Sequence, residues 1–306
     1  MKMDNSEFFL CIGAQKGGST WLHECLVRHA SVKVPPIKEL HFFDEIEDKR
    51  GKVVDRLFAD NWFDNRWRYN VKLALLNIFL FKEVKLGIWL LKYLFVKRCL
   101  KDTVKYKKLL SELRGDAKIV GEITPDYCIL TKKTIRRMHE VFPKLKIIFI
   151  LRNPVEREWS EAKMKLLRMR GKKVGEVGER EFLNFLEGEN LRSEYIKTIE
   201  NYLTYFPKKQ LFIGFYDELR DEPLKFMNKI LNFLNVEAFT KMPINKIPNK
   251  GVSMEIPKNI EAKLIAKYAE LIDNLAYMFM NEKINYPYTW KQRINLKEII
   301  NSLIDD

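Results

Sequence analysis

Residues 8–21 read FFLCIGAQKGGSTW, and the amphipathic pattern WLHECLVRHA begins as this stretch ends. The order is an apolar run, a glycine-bracketed polar loop and a helix entered without a linker. A chain written this way is committed to a strand–loop–helix unit, and so to an α/β architecture. The loop's backbone N–H groups and the positive end of the helix dipole together favour a bound phosphate or sulfate. Gly13, Gly17 and Gly18 permit the tight turns and the close approach of an anion to the backbone. Lys16 adds a mobile cation, and Ser19 and Thr20 add hydroxyl donors.

Gly13 and Gly18 have the separation found in the nucleoside-triphosphatase loop G-x-x-x-x-G-K-[ST]. Here, however, Ser19 stands where that loop has its lysine, and the lysine sits inside the loop at position 16. The spacing keeps an anion cradle but changes the chemistry at its end. A second segment, LKIIFILRNPVEREWS at 145–160, has the same logic. Its apolar run is typical of a buried parallel strand. It ends in Arg152 and Asn153-Pro154, and a helix follows. Arg152 therefore belongs at the carboxyl end of a central strand, where open α/β sheets bind ligands. Ser160 follows about two helical turns later. An arginine fork and a serine hydroxyl suit a phosphate monoester; the plainer alternative is an ion pair between Arg152 and Glu156.

Together these segments resemble the PAPS-dependent sulfotransferase family. The matching stretches are GAQKGGSTWL at 13–22 and LRNPVEREWS at 151–160. KELHFFD at 38–44, GEITPDY at 121–127, LFIGFYDELRDEP at 211–223 and NKGVS at 249–253 follow in the family's order, so the resemblance spans about 8–255. It is nearest to the glycan and heparan-type enzymes and their bacterial relatives. It implies a P-loop-like three-layer fold with a central parallel sheet flanked by helices. It also implies 3′-phosphoadenosine 5′-phosphosulfate (PAPS) as the sulfuryl donor, PAP as the product, and no metal.

By the same resemblance, Lys16, Gly17, Gly18, Ser19 and Thr20 hold the 5′-phosphosulfate, and Arg152 and Ser160 hold the 3′-phosphate. Trp21 either packs on the nucleotide or begins the hydrophobic face of its helix. Lys250 and Gly251 reach the 3′-phosphate from the late loop. Sulfuryl transfer, like phosphoryl transfer, needs in-line attack and stabilisation of charge on the leaving oxygen, and the second of these falls to Lys16. The acceptor must lose a proton. Glu39 is the leading base, and His41 is the second candidate. Lys38, His41 and Thr124 are expected at the acceptor. One departure is informative: the family's GEKTP block has a lysine where this chain has Ile123, which weakens the case for a heparan-type acceptor. Glycan, lipid, sterol and small alcohol all remain open. Two rival classes are a P-loop-type kinase, which wants a lysine where Ser19 stands, and a non-catalytic protein that only binds nucleotide or acidic glycan.

The chain's 306 residues suffice for one large α/β domain, and a net charge of +14 favours anionic ligands. The lysines are spread along the chain and no groove-reading motif is present, so nucleic acid is not the expected partner. None of the 4 cysteines forms a C-x-x-C pair, which points to free thiols in a reducing compartment. MKMDNSEFFL lacks the apolar core of a signal peptide, and the expectation is cytoplasmic. A helical insertion is expected at about 53–110 and a helical C-terminal extension at about 257–306, within a single domain. The core of the insertion, 71–100, is apolar, but charges interrupt it too often for a bilayer span. It reads either as buried helices that cover the acceptor cleft or meet a second subunit, or as a basic amphipathic surface touching membrane or an apolar acceptor.

Overall fold

The computed structural model describes residues 7–35, 37–46, 84–97, 101–188, 190–244, 252–281, 284, 286–287 and 289–290. Five strands, β1 (Glu7–Gly13), β2 (Val32–Lys33), β3 (Ile119–Ile123), β4 (Lys146–Leu151) and β5 (Leu211–Phe215), form one sheet in the order β2-β3-β1-β4-β5. Every neighbouring pair is parallel. Among the described residues the helices are α1 (Ser19–Leu26), α2 (Phe42–Ile46), α3 (Val84–Phe95), α4 (Thr103–Arg114), α5 (Lys132–Val141), α6 (Pro154–Lys163), α7 (Glu179–Leu186), α8 (Tyr195–Leu203), α9 (Tyr216–Asp221), α10 (Pro223–Leu234) and α11 (Lys258–Asn281).

The strand period of two divides the core between the sheet's faces. Phe8, Leu10 and Ile12 of β1, with Ile147, Phe149 and Leu151 of β4, pack against α3, α4, α5, α6 and α11. Phe9 and Cys11, with Ile148 and Ile150, pack on the other face against α1 and α10. This gives the expected three layers. β1 connects outward to β2 and β4 connects outward to β5, in opposite directions along the sheet. The switch point therefore lies between β1 and β4, and a crevice opens at their carboxyl ends.

Local chemistry sets the helix starts. Asp102 Oδ1 caps α4, accepting from the Val104 and Lys105 N–H groups at 2.9 and 3.0 Å. Asn153 Oδ1 caps α6 by accepting from the Val155 N–H at 3.0 Å, and Pro154 occupies the first turn, where its missing N–H costs nothing. Two helical stretches are interrupted. Residues 179–203 form two helices, α7 and α8, with a 3-10 turn at Leu191–Ser193 between them; the chain breaks near Gly188, where helix propensity is poor. The helix that follows Asn153 leaves α geometry at Lys163 and continues as a π-helical turn, Met164–Arg168.

Within the expected insertion the described helices are α3 and the first part of α4, and within the C-terminal extension α11; residues 291–306 of that extension lie outside the described residues. No helix among the described residues is long and apolar enough to cross a membrane. Cys11, Cys25 and Cys128 are buried free thiols, and burial pushes each up to about 12.

Candidate active site

The β1–α1 loop and the end of β4 meet at the switch point. Ala14 N–H donates to the Ile150 carbonyl at 2.7 Å, and Gly17 N–H donates to the Ala14 carbonyl at 3.0 Å, so the loop folds back over β4. A Cβ on Gly17 would stand 2.6 Å from the Ile150 carbonyl oxygen, and one on Gly18 would stand 2.5 Å from Leu219 Cδ1. Gly18 also has φ +94°, a conformation that side chains disfavour. Gly18 caps α1 without a side-chain bond, and Ser19 and Thr20 form the first turn.

Arg152 joins the two segments. Its Nη1 donates to the Lys16 carbonyl at 3.1 Å, and its guanidinium lies 4.5 Å from the Tyr216 ring centroid. Nε and Nη2 each reach Glu156 Oε2 at 3.4 Å, so the plainer ion pair also forms. Ser160 is half-buried on α6. Lys16 Nζ lies 3.8 Å from Met164 Sδ on the π-helical turn. Its pKa falls to about 8, first through burial and then through the positive charges of Arg152, Arg168 and Lys163, with Glu161 opposing. Three further cations thus act electrostatically on Lys16. Trp21 takes the second of its two readings: it is buried in the α1–α10 layer, with its ring 6.2 Å from Phe226. Lys250 and Gly251 lie outside the described residues. The chain just after them is tied to α6, because Lys163 Nζ donates to the carbonyls of Val252 and Met254 at 3.0 Å each.

The second half of the site is the turn between β2 and α2. Lys38 Nζ pairs with Glu39 Oε1 at 2.5 Å, and His41 Nε2 lies 3.7 Å from Glu39 Oε2. His41 Nδ1 contacts Asp44 Oδ2 at 2.6 Å and lies 3.8 Å from Asp126 Oδ2. Burial alone would raise Glu39. The close contact with His41 and the charge of Lys38 outweigh it and hold the carboxyl well below the usual carboxylate range. Burial alone would lower His41. The charge and hydrogen bond of Asp44, then the contact with Glu39 and the charge of Asp126, raise it to about 9. Thr124 is fully buried beneath this turn, where its hydroxyl donates to Glu122 Oε2 at 3.3 Å.

A model described as the sulfotransferase family matches residues 9–241. The chain belongs to the sulfotransferase family. No curated protein gives a significant sequence match. Among solved structures, a sulfotransferase from Alicyclobacillus acidocaldarius is 22% identical at a TM-score of 0.59, covering 94% of this chain and 100% of its own. The sulfotransferase domain from the Synechococcus PCC 7002 olefin synthase is 15% identical at 0.51, covering 88% and 98%. The sulfotransferase domain from the curacin biosynthetic pathway is 16% identical at 0.50, covering 97% of each chain. At these identities the likeness bears on fold alone.

In this sulfotransferase several polar residues around the site carried no sequence signal of their own. Arg192 Nε pairs with Asp126 Oδ1 at 2.8 Å, and Nη1 lies 3.6 Å from Glu161 Oε1. Glu161 pairs in turn with the buried Arg157 at 2.8 Å. A chain of alternating charges thus runs from α6 to His41. Asp44 was inside the KELHFFD block, three residues after His41, a spacing that a helix start brings together. Lys163 follows Ser160 by the same spacing. His41, Asp44 and Asp126 offer ligand atoms within 4.8 Å of one another. As they stand, Asp44 engages His41 Nδ1 and Arg192 engages Asp126.

Proposed function

We propose that this sulfotransferase moves the sulfuryl group of PAPS to a hydroxyl or amine of its acceptor by in-line displacement, without a metal. The observation that carries the reading is Arg152 seated on the glycine-rich β1–α1 loop, its Nη1 on the Lys16 carbonyl at 3.1 Å, with Lys16 lowered to about 8 by burial and by the charges of Arg152, Arg168 and Lys163. Such a cluster is repelled by itself and relieved by a polyanion. The loop receives the 5′-phosphosulfate; Arg152 and Ser160 receive the 3′-phosphate. Lys16 stabilises charge on the bridging oxygen as the S–O bond to PAP breaks.

Glu39 takes the acceptor's proton as the new bond to sulfur forms. It is ionised at neutral pH because Lys38 and His41 hold it so. These same contacts make it a weak base in the free protein. Lys38 is the contact that an incoming sulfuryl oxygen can draw away, which raises Glu39's basicity when the acceptor is in place. The acceptor is a small molecule, lipid or glycan, and the same turn, Lys38 to His41, meets it.

The test is incubation with labelled PAPS and a panel of neutral alcohols, amines, sterols and glycans, with and without Mg²⁺. Transfer that persists in a chelator supports the proposal. Transfer that needs Mg²⁺ would overturn metal independence, and PAP binding without transfer to any member would favour a binding protein.

A further inference from the structure

The turn carrying the proposed base is held in an unfavourable backbone conformation. Glu39 has φ +62° and His41 has φ +58°. Neither is a glycine, and a residue in this region persists only where its surroundings over-determine it. The surroundings do so at three points. Glu39 N–H donates to the Ile123 carbonyl of β3 at 3.1 Å. Tyr127 Oη accepts from the Phe42 N–H at 2.9 Å and the Phe43 N–H at 3.3 Å. Between these two anchors, the carbonyl of Leu40 receives two donors, one from α3 and one from the turn that ends it. These are Tyr93 Oη at 2.5 Å and Lys97 Nζ at 2.6 Å.

Leu40 is the residue between the two left-handed ones, so its carbonyl orientation fixes ψ on one side of the peptide and φ on the other. A carbonyl has two lone pairs, and here two donors reach it, one from α3 and one from the turn just after it. That element is itself rigid at this place. Tyr93 is 1% exposed. Its ring stacks on Trp89 with centroids 5.7 Å apart and planes within 6°. Trp89 Nε1 donates to the Leu109 carbonyl of α4 at 2.7 Å. The path from the helical pair to the turn is therefore continuous: α4 holds Trp89, Trp89 holds Tyr93, and Tyr93 with Lys97 holds Leu40.

We propose that Tyr93 and Lys97 are positioning residues of the transfer reaction, holding the Leu40 carbonyl so that the left-handed turn presents Glu39 to the acceptor. This rests on the reading of Glu39 as the base. The insertion thereby gains a part in the reaction, since α3 acts on the acceptor side through the backbone beside Glu39.

The experiment compares wild type with Tyr93→Phe, Lys97→Met, the double variant and Lys97→Arg. Tyr93→Phe removes one hydroxyl and keeps the stacked ring, so folding is retained. Displacing a reacting group by about 1 Å costs on the order of 10²-fold. Each single loss should lower kcat by about tenfold, and the double variant should approach a hundredfold. Lys97→Arg, which keeps a donor, should restore most of the rate. PAP affinity by calorimetry should stay within about twofold throughout, since the phosphate loop is not touched.

A second readout needs no turnover. His41 is faced by Asp44 and Glu39 on its own turn, by Asp126 with Arg192 behind it, and by Glu122 of β3. Its titration, followed by NMR and identified with His41→Asn, should move down from about 9 in the double variant as Glu39 leaves its reach. Unchanged kcat in the double variant, with His41 titrating as in wild type, would overturn the proposal. Equal loss in Lys97→Arg and Lys97→Met would also overturn it. A fully active Glu39→Gln would sink the base reading alone, and the His41 titration would still decide whether α3 holds the turn.

Discussion

Replacing Arg152 with alanine tests the nucleotide site directly. The guanidinium has five N–H donors. In the structure three of its bonds are drawn to the Lys16 carbonyl and to Glu156, at 3.1 and 3.4 Å. The Glu156 contacts are long, so a phosphate can displace that carboxylate. A hydrogen bond to a charged group contributes about 1.5–3 kcal/mol, equivalent to about 10–150-fold in Kd. Two local effects narrow this range. Arg152 is one of the charges that lower Lys16, so its removal makes Lys16 a better cation and offsets part of the loss. Its Nη1 also ties down the loop, so the alanine variant presents a looser cradle. The net expectation is a loss of about 10- to 50-fold in PAP affinity by titration calorimetry at fixed salt. Arg152→Lys should fall between, keeping charge without the fork. Glu156→Gln should bind PAP as well as wild type or better, because a competing anion is gone. An Arg152→Ala protein with unchanged PAP affinity would refute the assignment of this residue to the 3′-phosphate.

Three further outcomes follow from the same geometry. Glu39→Gln should lower turnover by about 10²–10⁴ while leaving PAP affinity within about twofold; near wild-type turnover on a hydroxyl acceptor would move the role to His41 or to water. PAP affinity should fall as pH rises through Lys16's value of about 8. The sign is fixed because a bound anion raises that pKa, so the complex takes up the proton that the free protein has shed. Calorimetry near pH 9 in buffers of different ionisation enthalpy checks this, and zero proton uptake would contradict it. Tyr127→Phe removes the acceptor for the Phe42 and Phe43 N–H groups and a donor to Glu122. Buried groups left without partners cost about 1–3 kcal/mol; a thermal midpoint equal to wild type would show that water replaces the hydroxyl.

The geometry of the half proposed to bind the anion was legible in the sequence because its signals are local. A strand, three glycines and a helix start lie within fourteen residues, and LRNPVEREWS carries its own strand end and helix cap. Trp21 was ambiguous for the same reason, since an indole at a helix start serves either a ligand or a core; Phe226, two hundred residues away, decides it. The acceptor half was legible only in part. Glu39 and His41 stood in a recognisable block, but nothing local announces their left-handed backbone, which the Leu40 and Ile123 contacts impose from outside. Asp126 and Arg192 are 66 residues apart in sequence and 2.8 Å apart in space. The π-helical turn that brings Met164 to Lys16 continues the apolar period of α6 and so looks like ordinary helix. Between α7 and α8, Gly188 breaks a chain whose hydrophobic period runs on.

The two halves differ in electrostatic character, and the difference bears on what they meet. Around the β1–α1 loop, Lys16, Arg152, Lys163 and Arg168 outnumber the nearby carboxylates of Glu156 and Glu161. Around Glu39 the charges cancel: Glu39, Asp44 and Asp126 stand against Lys38, protonated His41 and Arg192. A donor with several negative charges is therefore drawn to one end of the crevice. The other end has little surplus field to attract an anion. Ile123 reinforces this. Its side chain is 1% exposed in the core layer with Phe9 and Trp21, and only its carbonyl faces the turn, where it anchors Glu39. Position 123 thus supplies no cation to the acceptor. A site whose cations are already matched by its own carboxylates gains nothing electrostatically from a sulfated or carboxylated acceptor. On the proposed function, this balance of charge favours an uncharged acceptor over a sulfated or carboxylated one.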